Sequence, residues 1–250
     1  MRLISRIDLK GDKFVKSIQM EGLRNLGNPK LTAENYCKEG INELIISDCS
    51  ASWFGQEILP NVIKDITENI FIPTLVGGGI QKLEDCEKLF HAGADKITIN
   101  TGAINKPDII DNIAKKYGSQ SVSITIEYKF QNDEFNLYKC FGREKTPLKM
   151  SNWINEVVSR GAGELIFSCI DKDGTGKGFD KNILNLLENI RIDVPVIVSG
   201  GFGKIEHLEF LKKYINLIQG VCISKSFHYN EIKIKKVKQY LNKIIFSEKK

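Results

Sequence analysis

The 250-residue chain has no run approaching the ~18 uncharged apolar residues of a membrane span, so no membrane partner is expected. Its N-terminus lacks the apolar core of a signal peptide, because Arg2, Arg6, Asp8 and Lys10 interrupt it, and a cytoplasmic chain is the expectation. Histidine is scarce. His91, His207 and His228 are not clustered, and the first two fall on predicted outer helices. The six cysteines, at 37, 49, 86, 140, 169 and 222, show no zinc spacing, and a chain of this size does not need disulfides; buried free thiols in a reducing compartment are the simplest account. None has a positioned histidine in the sequence, so a thiol nucleophile has no specific support. Asp171-Lys172-Asp173-Gly174 opens like a calcium loop, yet its twelfth position is Asn182 and not an acid. No metal and no cofactor is expected. A Gly-x-Gly-x-x-Gly after the first strand is absent, which counts against a dinucleotide-binding open sheet. Much of the net charge of +5 lies in the lysines from Lys233 to Lys250. They lack the stacking pattern of single-strand binders, so they read as a solvated helix face and tail, with no nucleic-acid partner.

What is present is alternation. Short apolar runs begin at Leu3, Glu43, Ile72, Lys96, Val122, Glu164, Val194 and Gly220, and each is followed by a helix-compatible segment. The runs are continuous, as strands covered on both faces should be. Eight βα units over residues 1–250 predict an α/β chain closed into a single (β/α)₈ TIM barrel, with an open doubly wound sheet as the rival. Helices are predicted near 30–39, ended by Gly40, and near 56–69, 82–91, 150–159, 180–189, 205–213 and 231–245, with one more after Pro107. Residues 11–30 form a long connection carrying Lys13, Lys16 and Arg24, and a loop that long is usually functional. Residues 130–141 alternate and carry charge, which predicts a small hairpin inserted after the fifth strand.

The stretch Ile72–Asn100 returns as Val194–Ser226, with Pro73 matching Pro195 and Gly78-Gly79 matching Gly200-Gly201. This predicts two half-barrel repeats, about 1–120 and 121–250. A glycine pair between strand and helix is a recurrent phosphate cradle, because an anion can approach backbone N–H groups there. It also serves merely to turn a βα corner. Two cradles at opposite rims suit a substrate with a phosphate at each end. Barrel enzymes work at the C-terminal ends of their strands. There Asp8 ends the first strand and Glu127 the fifth, across the barrel. Two such carboxyl groups can act as general acid and general base if their environments separate their pKa values. Alternatively each caps a loop or pairs with a lysine, such as Lys10 or Lys129.

At these residues the chain resembles the HisF family, the cyclase subunits of imidazole glycerol phosphate synthase. The matching stretches, IDLKGDKFVKS, NELIISDCSAS, IPTLVGGGI, AGADKITINTGAI, GSQSVSITIE, GAGELIFSCIDKDGT, VPVIVSGGFG and SFHYNEI, extend over essentially the whole chain. The resemblance implies a two-fold symmetric barrel that cyclises a bis-phosphate, phosphoribulosyl-formimino carboxamide ribotide, with ammonia. The products are imidazole glycerol phosphate and aminoimidazole carboxamide ribotide. It also implies a glutamine amidotransferase subunit docked on the N-terminal face, sending ammonia through the barrel. Carried onto this sequence, the catalytic pair is Asp8 and Glu127. Substrate and phosphate contacts fall on Lys16, Asp48, Gly78, Gly79, Asn100, Thr101, Ser168, Asp173, Gly174, Gly200, Gly201, Ser224 and Lys225. The ammonia entrance is Arg2, Glu43, Lys96 and Glu164, whose alternating signs compensate charges that would be costly alone.

The departures cluster at the substrate end. The family normally has aspartate where Glu127 stands, and one extra methylene moves the carboxylate about 1.5 Å further into the cavity. Ser5-Arg6 replaces a proline–cysteine pair, LKGDK replaces VKDGR, and Lys225 replaces a small residue. They raise an alternative: a divergent paralogue that channels ammonia to a separate sugar-amidating enzyme of surface-glycan biosynthesis. A non-catalytic scaffold would predict broken cradles. The sister isomerase family is disfavoured by Glu127, by SCIDKDGT and by the charged entrance.

Overall fold

A computed structural model describes residues 1–55 and 59–247. Eight parallel strands, β1 (Arg2–Lys10), β2 (Glu43–Asp48), β3 (Thr74–Gly77), β4 (Lys96–Ile99), β5 (Val122–Gln131), β6 (Glu164–Cys169), β7 (Val196–Ser199) and β8 (Gly220–Cys222), pair in sequence order. The ring closes where β8 meets β1, with Arg2 opposite Gly220 and Ile4 opposite Cys222. The rival open sheet is excluded. The helices that follow the strands are α1 (Pro29–Glu39), α2 (Pro60–Thr67), α3 (Leu83–His91), α4 (Asp108–Tyr117), α5 (Met150–Ser159), α6 (Lys181–Asn189), α7 (Leu211–Tyr214) and α8 (Ile234–Ser247). The first residues of the predicted 56–69 helix, 56–58, lie outside the described residues. No helix among the described residues is long and apolar enough to cross a membrane.

Local chemistry accounts for these elements. Asn28 caps α1 by accepting the Leu31 N–H, Pro29 occupies its first turn, and Gly40 ends it at φ 94°. In α4, Ile109, Ile110 and Ile113 lie on one buried stripe, as helical spacing requires. Apolar residues fill two layers. Outward-facing strand residues such as Leu3, Leu44, Val76 and Ile97 pack under the helices. A separate cluster of Ile4, Ile45, Leu75, Ile166, Ile197 and Cys222 fills the barrel interior, so the barrel is packed and not a pore.

Two expectations are corrected, and the expected hairpin is found in place. Residues 11–30 are not an irregular connection. Lys13–Ile18 and Glu21–Gly27 form an antiparallel ribbon that pairs back onto β1, Asp8 opposite Val15. Its turn, Gln19-Met20, holds φ of 53° and 62° without glycine or asparagine, so nothing local announces it. The predicted 205–213 helix is interrupted. A 3₁₀ turn, Ile205–Leu208, precedes α7, because Leu208, Leu211 and Tyr214 are buried at three-residue spacing. The expected hairpin near 130–141 is present but continuous with β5: the strand runs to Gln131, turns at Asn132-Asp133 and returns as Glu134–Lys139. Short helices also start at the ends of β2, β4 and β8: Ala51–Phe54, Thr101–Asn105 and Lys225–His228.

Candidate active site

Side chains alternate along a strand, so Arg2, Ile4, Arg6 and Asp8 of β1 share the inward face. At the C-terminal mouth this brings four charges together. Arg6 Nε lies 2.9 Å from Asp8 Oδ1, side by side with it, and Arg6 Nη2 donates to Asp8 Oδ2 at 3.4 Å. Lys16, lowered into the mouth by the ribbon, sits 2.8 Å from Asp173 and 3.7 Å from Asp8. Asp173 in turn lies 3.7 Å from Arg6 Nη2. The result is a closed ring of alternating sign, all four members buried. Burial works against the Asp173 charge, but Lys16 and Arg6 outweigh it and hold its carboxyl below the usual range. Burial likewise opposes the Arg6 charge, and Asp8 and Asp173 raise its pKa regardless.

Glu127 enters the same cavity from β5. Its surroundings differ. Burial pushes its carboxyl up to about 7, against the Gly142 N–H that it accepts at 3.0 Å and the pull of Arg6. The Gly142 donor is presented by a turn in which Cys140, Phe141 and Gly142 all take positive φ. Thr101 Oγ1 anchors that turn by accepting the Cys140 N–H at 2.9 Å. Asn100 donates to the Tyr138 carbonyl at 3.1 Å, while its own side-chain oxygen is buried without a partner.

Two adjoining hollows collect the other expected residues. The first is lined by Asp8, Asp48, Gly78, Gly79, Asn100, Thr101 and Glu127; the second by Asp173, Gly174, Gly200, Gly201, Ser224 and Lys225. Ser199 and Cys222 border both. The two ends are built alike. Asn100 (φ −126°, ψ −78°) and Ser224 (φ −123°, ψ −71°) share one backbone conformation at the start of a short helix. Gly78 and Gly200 have φ of 118° and 99°, and a Cβ on either would strike a neighbouring loop, Asp48 O at 2.6 Å or Cys169 O at 2.8 Å. These glycines are therefore required by close approach whether or not an anion binds.

Some expected residues have other occupations. The Asp48 carboxylate accepts from the N–H groups of Gly11, Ser50 and Ala51 and from Ser50 Oγ, so it fixes the β2 loop. The Lys225 ammonium is paired with Glu231. Ser168 is fully buried with its hydroxyl unpartnered, beside Glu127 in register but outside both hollows. His91 and His207 stand apart from the mouth, bonded to Glu87 O and the Gly203 N–H. His228 lies behind Lys16 with Tyr36 Oη 2.6 Å from Nδ1, and burial, with Lys16 beside it, presses its pKa down to about 3. Among the described residues no three His, Cys, Asp or Glu side chains are grouped to share a metal ion.

At the opposite end Arg2, Glu43, Lys96 and Glu164 form a second ring of alternating sign. Arg2 reaches Glu43 at 2.6 Å and Glu164 at 2.5 Å, and Lys96 reaches them at 2.7 and 3.6 Å. Sequence reasoning missed two contributors to the mouth: Arg6, noted only as a departure, and the Gly142 N–H. Its even spacing, four residues after Arg2 and two before Asp8, was the signal that would have placed Arg6 inward.

A closed barrel with buried acids at its mouth, flanked by paired glycine corners, defines a TIM-barrel enzyme with a polar, two-ended site. The chain matches the profile of the family described as "Histidine biosynthesis protein" over residues 2–233. "Imidazole glycerol phosphate synthase subunit HisF" of Helicobacter hepaticus is 39% identical over 241 residues, covering 96% of this chain and 94% of that protein. The protein of the same name in Legionella pneumophila is 42% identical over 207 residues, 82% of this chain and 97% of that one. That of Bacillus subtilis is 38% identical over 243 residues, 96% and 95%. The chain belongs to the HisF family.

Proposed function

We propose that this chain is the cyclase subunit of an imidazole glycerol phosphate synthase, acting in histidine biosynthesis. It converts phosphoribulosyl-formimino carboxamide ribotide and ammonia to imidazole glycerol phosphate and aminoimidazole carboxamide ribotide. The observation that carries this reading is that Asp8 and Glu127 line one cavity from different walls and in different environments. Building an imidazole ring requires addition of ammonia to a carbonyl, loss of water and cleavage of a C–N bond, each with proton transfers. A carboxylate among cations and a carboxyl poised near neutrality supply an acceptor and a donor. One phosphate is assigned to Gly78, Gly79, Asn100 and Thr101. The other is assigned to Gly174, Gly200, Gly201 and Ser224, with Lys225 available if the anion displaces Glu231. Lys16 holds the ribbon over the mouth through Asp173.

Ammonia is supplied by a glutamine amidotransferase subunit docked on the N-terminal face, giving a heterodimer in the cytoplasm. The ring of Arg2, Glu43, Lys96 and Glu164 is the entrance. The apolar cluster around Ile4 and Leu75 lies next on the way to the mouth. It favours neutral ammonia over ammonium, because a charge entering it would lose its hydration. We read residues 1–120 and 121–250 as the two half-barrel repeats, on the strength of the matched backbone at Asn100 and Ser224.

The test is an assay of the purified chain with the bis-phosphate ribotide and ammonium salts. Both products are expected, and Glu127→Gln should lower the rate by roughly 10²–10⁴-fold. If the ribotide is not consumed while a bound amidotransferase still releases ammonia, the barrel is a conduit to another acceptor, such as a sugar-amidating enzyme.

A further inference from the structure

The hollow to which the first phosphate is assigned is short of positive charge. Among the described residues it is lined by three carboxyl groups, Asp8, Asp48 and Glu127, and by one cation, Arg6, which is engaged by Asp8 and Asp173. The second hollow has Lys225 after Ser224, where the first has Thr101 after Asn100. A phosphate dianion entering the first end needs a countercharge from the rim, because hydrogen bonds from a charged donor are about twice as strong as neutral ones. Arg143 is placed to give it. The residue follows the turn Cys140-Phe141-Gly142, and its Nη1 donates at 3.2 Å to the carbonyl of Phe141, a residue that lines the hollow. Its guanidinium lies 4.1 Å over the Trp53 ring and 6.0 Å from the Phe141 ring. Among the described residues no carboxylate pairs with it, whereas Lys139 of the return strand is paired with Glu144, and Lys129 of β5 lies over Tyr138. Trp53 in turn follows Ser52, whose hydroxyl accepts the Gly79 N–H at 3.2 Å. A cradle donor is thus held by the neighbour of the ring on which Arg143 rests. An anion that takes the Gly79 N–H displaces the Ser52 hydroxyl, and the exposed guanidinium on its long stem turns to meet that anion.

We propose that Arg143, presented by Trp53, binds the phosphate of the first cradle and gives that end of the site its affinity for a dianion. The inference rests on the phosphate assignment made above, and on the cyclase reading only for its kinetic consequence. Trp53 is part of the device: its indole face holds the guanidinium at the rim without neutralising it, as a carboxylate partner would.

The chain contains two tryptophans, the half-exposed Trp53 and the buried Trp153. In full-length Trp153→Phe, emission reports Trp53 alone; if that variant fails to fold, iodide quenching of the parent separates the exposed ring from the buried one. Titration with inorganic phosphate should shift the Trp53 emission as Arg143 leaves the ring. Arg143→Gln should weaken the phosphate affinity about tenfold or more, read by calorimetry where the emission change is lost, and Arg143→Lys should recover part of it. Lys129→Gln should leave that affinity within about twofold, since its charge is screened at the rim. With ribotide and ammonium, Arg143→Gln should raise KM about tenfold and leave kcat within about threefold. Each product carries one phosphate, and only one of the two should lose affinity in Arg143→Gln. An unchanged phosphate affinity, an equal loss in Lys129→Gln, or an equal loss for both products would mean that Arg143 acts only as general surface charge and would overturn the proposal. Absence of turnover in the parent would remove the cyclase reading, while the phosphate titration would still decide the role of Arg143.

Discussion

A carboxyl group buried without a countercharge costs stability unless it keeps its proton. Glu127, near the neutral donors of the Gly142 N–H and the Asn100 side chain, has its carboxyl pushed by burial from an ordinary value of 4.5 up to about 7. The folded protein therefore binds this proton more tightly than the unfolded chain. Its contribution is greatest below the ordinary value and is lost as pH rises through the interval up to about 7. The full shift corresponds to about 3 kcal/mol. Urea unfolding of the parent and of Glu127→Gln should show the parent losing roughly that amount relative to the variant between pH 5 and pH 8. Asp173 behaves oppositely, its lowered value adding stability that disappears only in acid, and it cancels in this comparison. A constant difference between the two proteins over that range would mean that Glu127 is ionised throughout. The position of Glu127 where β5 leaves the barrel was legible in the chain, although the strand itself runs on to Gln131. Its environment was not, because the donor lies 15 residues onward, on the far side of a hairpin.

Elements with local signals formed where the chain announced them. Asn28, Pro29 and Gly40 bound α1, and Asn132-Asp133 make a hairpin turn that needs little help. The ribbon over the mouth is different in kind. Gln19 and Met20 hold a left-handed turn because the Gln19 N–H reaches Asp173 O at 2.9 Å and its side chain reaches Asp171 O at 3.0 Å. Met20 Sδ covers Gly142, 3.1 Å from where a Cβ on that glycine would stand, and Ile170 Cδ1 closes the same spot at 3.2 Å. A segment stabilised from outside opens as a unit when that support is removed. Met20→Ala, a loss of about 2–3 kcal/mol at this buried position, should accelerate amide exchange in Lys13–Ile18 and Glu21–Gly27 by roughly 30–160-fold. Exchange in β2 through β5 should hold steady. Equal acceleration in the barrel strands would show that the ribbon unfolds only with the whole protein.

Across the whole molecule the barrel axis carries three tiers: a charged floor, an apolar interior and a charged mouth. In the floor, Glu43 and Glu164 are nearly inaccessible, whereas Arg2 and Lys96 are partly exposed, so the cations face the end at which we dock the amidotransferase. Lys96→Ala leaves both glutamates in contact with Arg2, which should spare the fold. With the amidotransferase bound, we expect glutamine-dependent turnover to fall about tenfold while ammonium-dependent turnover stays within about twofold, since added ammonia also reaches the open mouth. Equal loss of both activities would assign the ring to folding alone.

The sequence by itself determined the architecture. Eight apolar runs and intervening amphipathic segments can bury their faces together in few ways, and proline and glycine at the corners fix where each unit turns. Periodicity also placed Asp8, Glu127 and the floor residues at strand ends, because a strand's register with its neighbour follows from which side chains must point inward. Only the tertiary structure decided how those residues are charged and held. Whether Asp8 meets a cation depends on Arg6 two residues back, Lys16 on a folded-over ribbon and Asp173 from the far wall. Electrostatic interactions depend on distance and burial in space, and neither is written in the separation of residues along the chain.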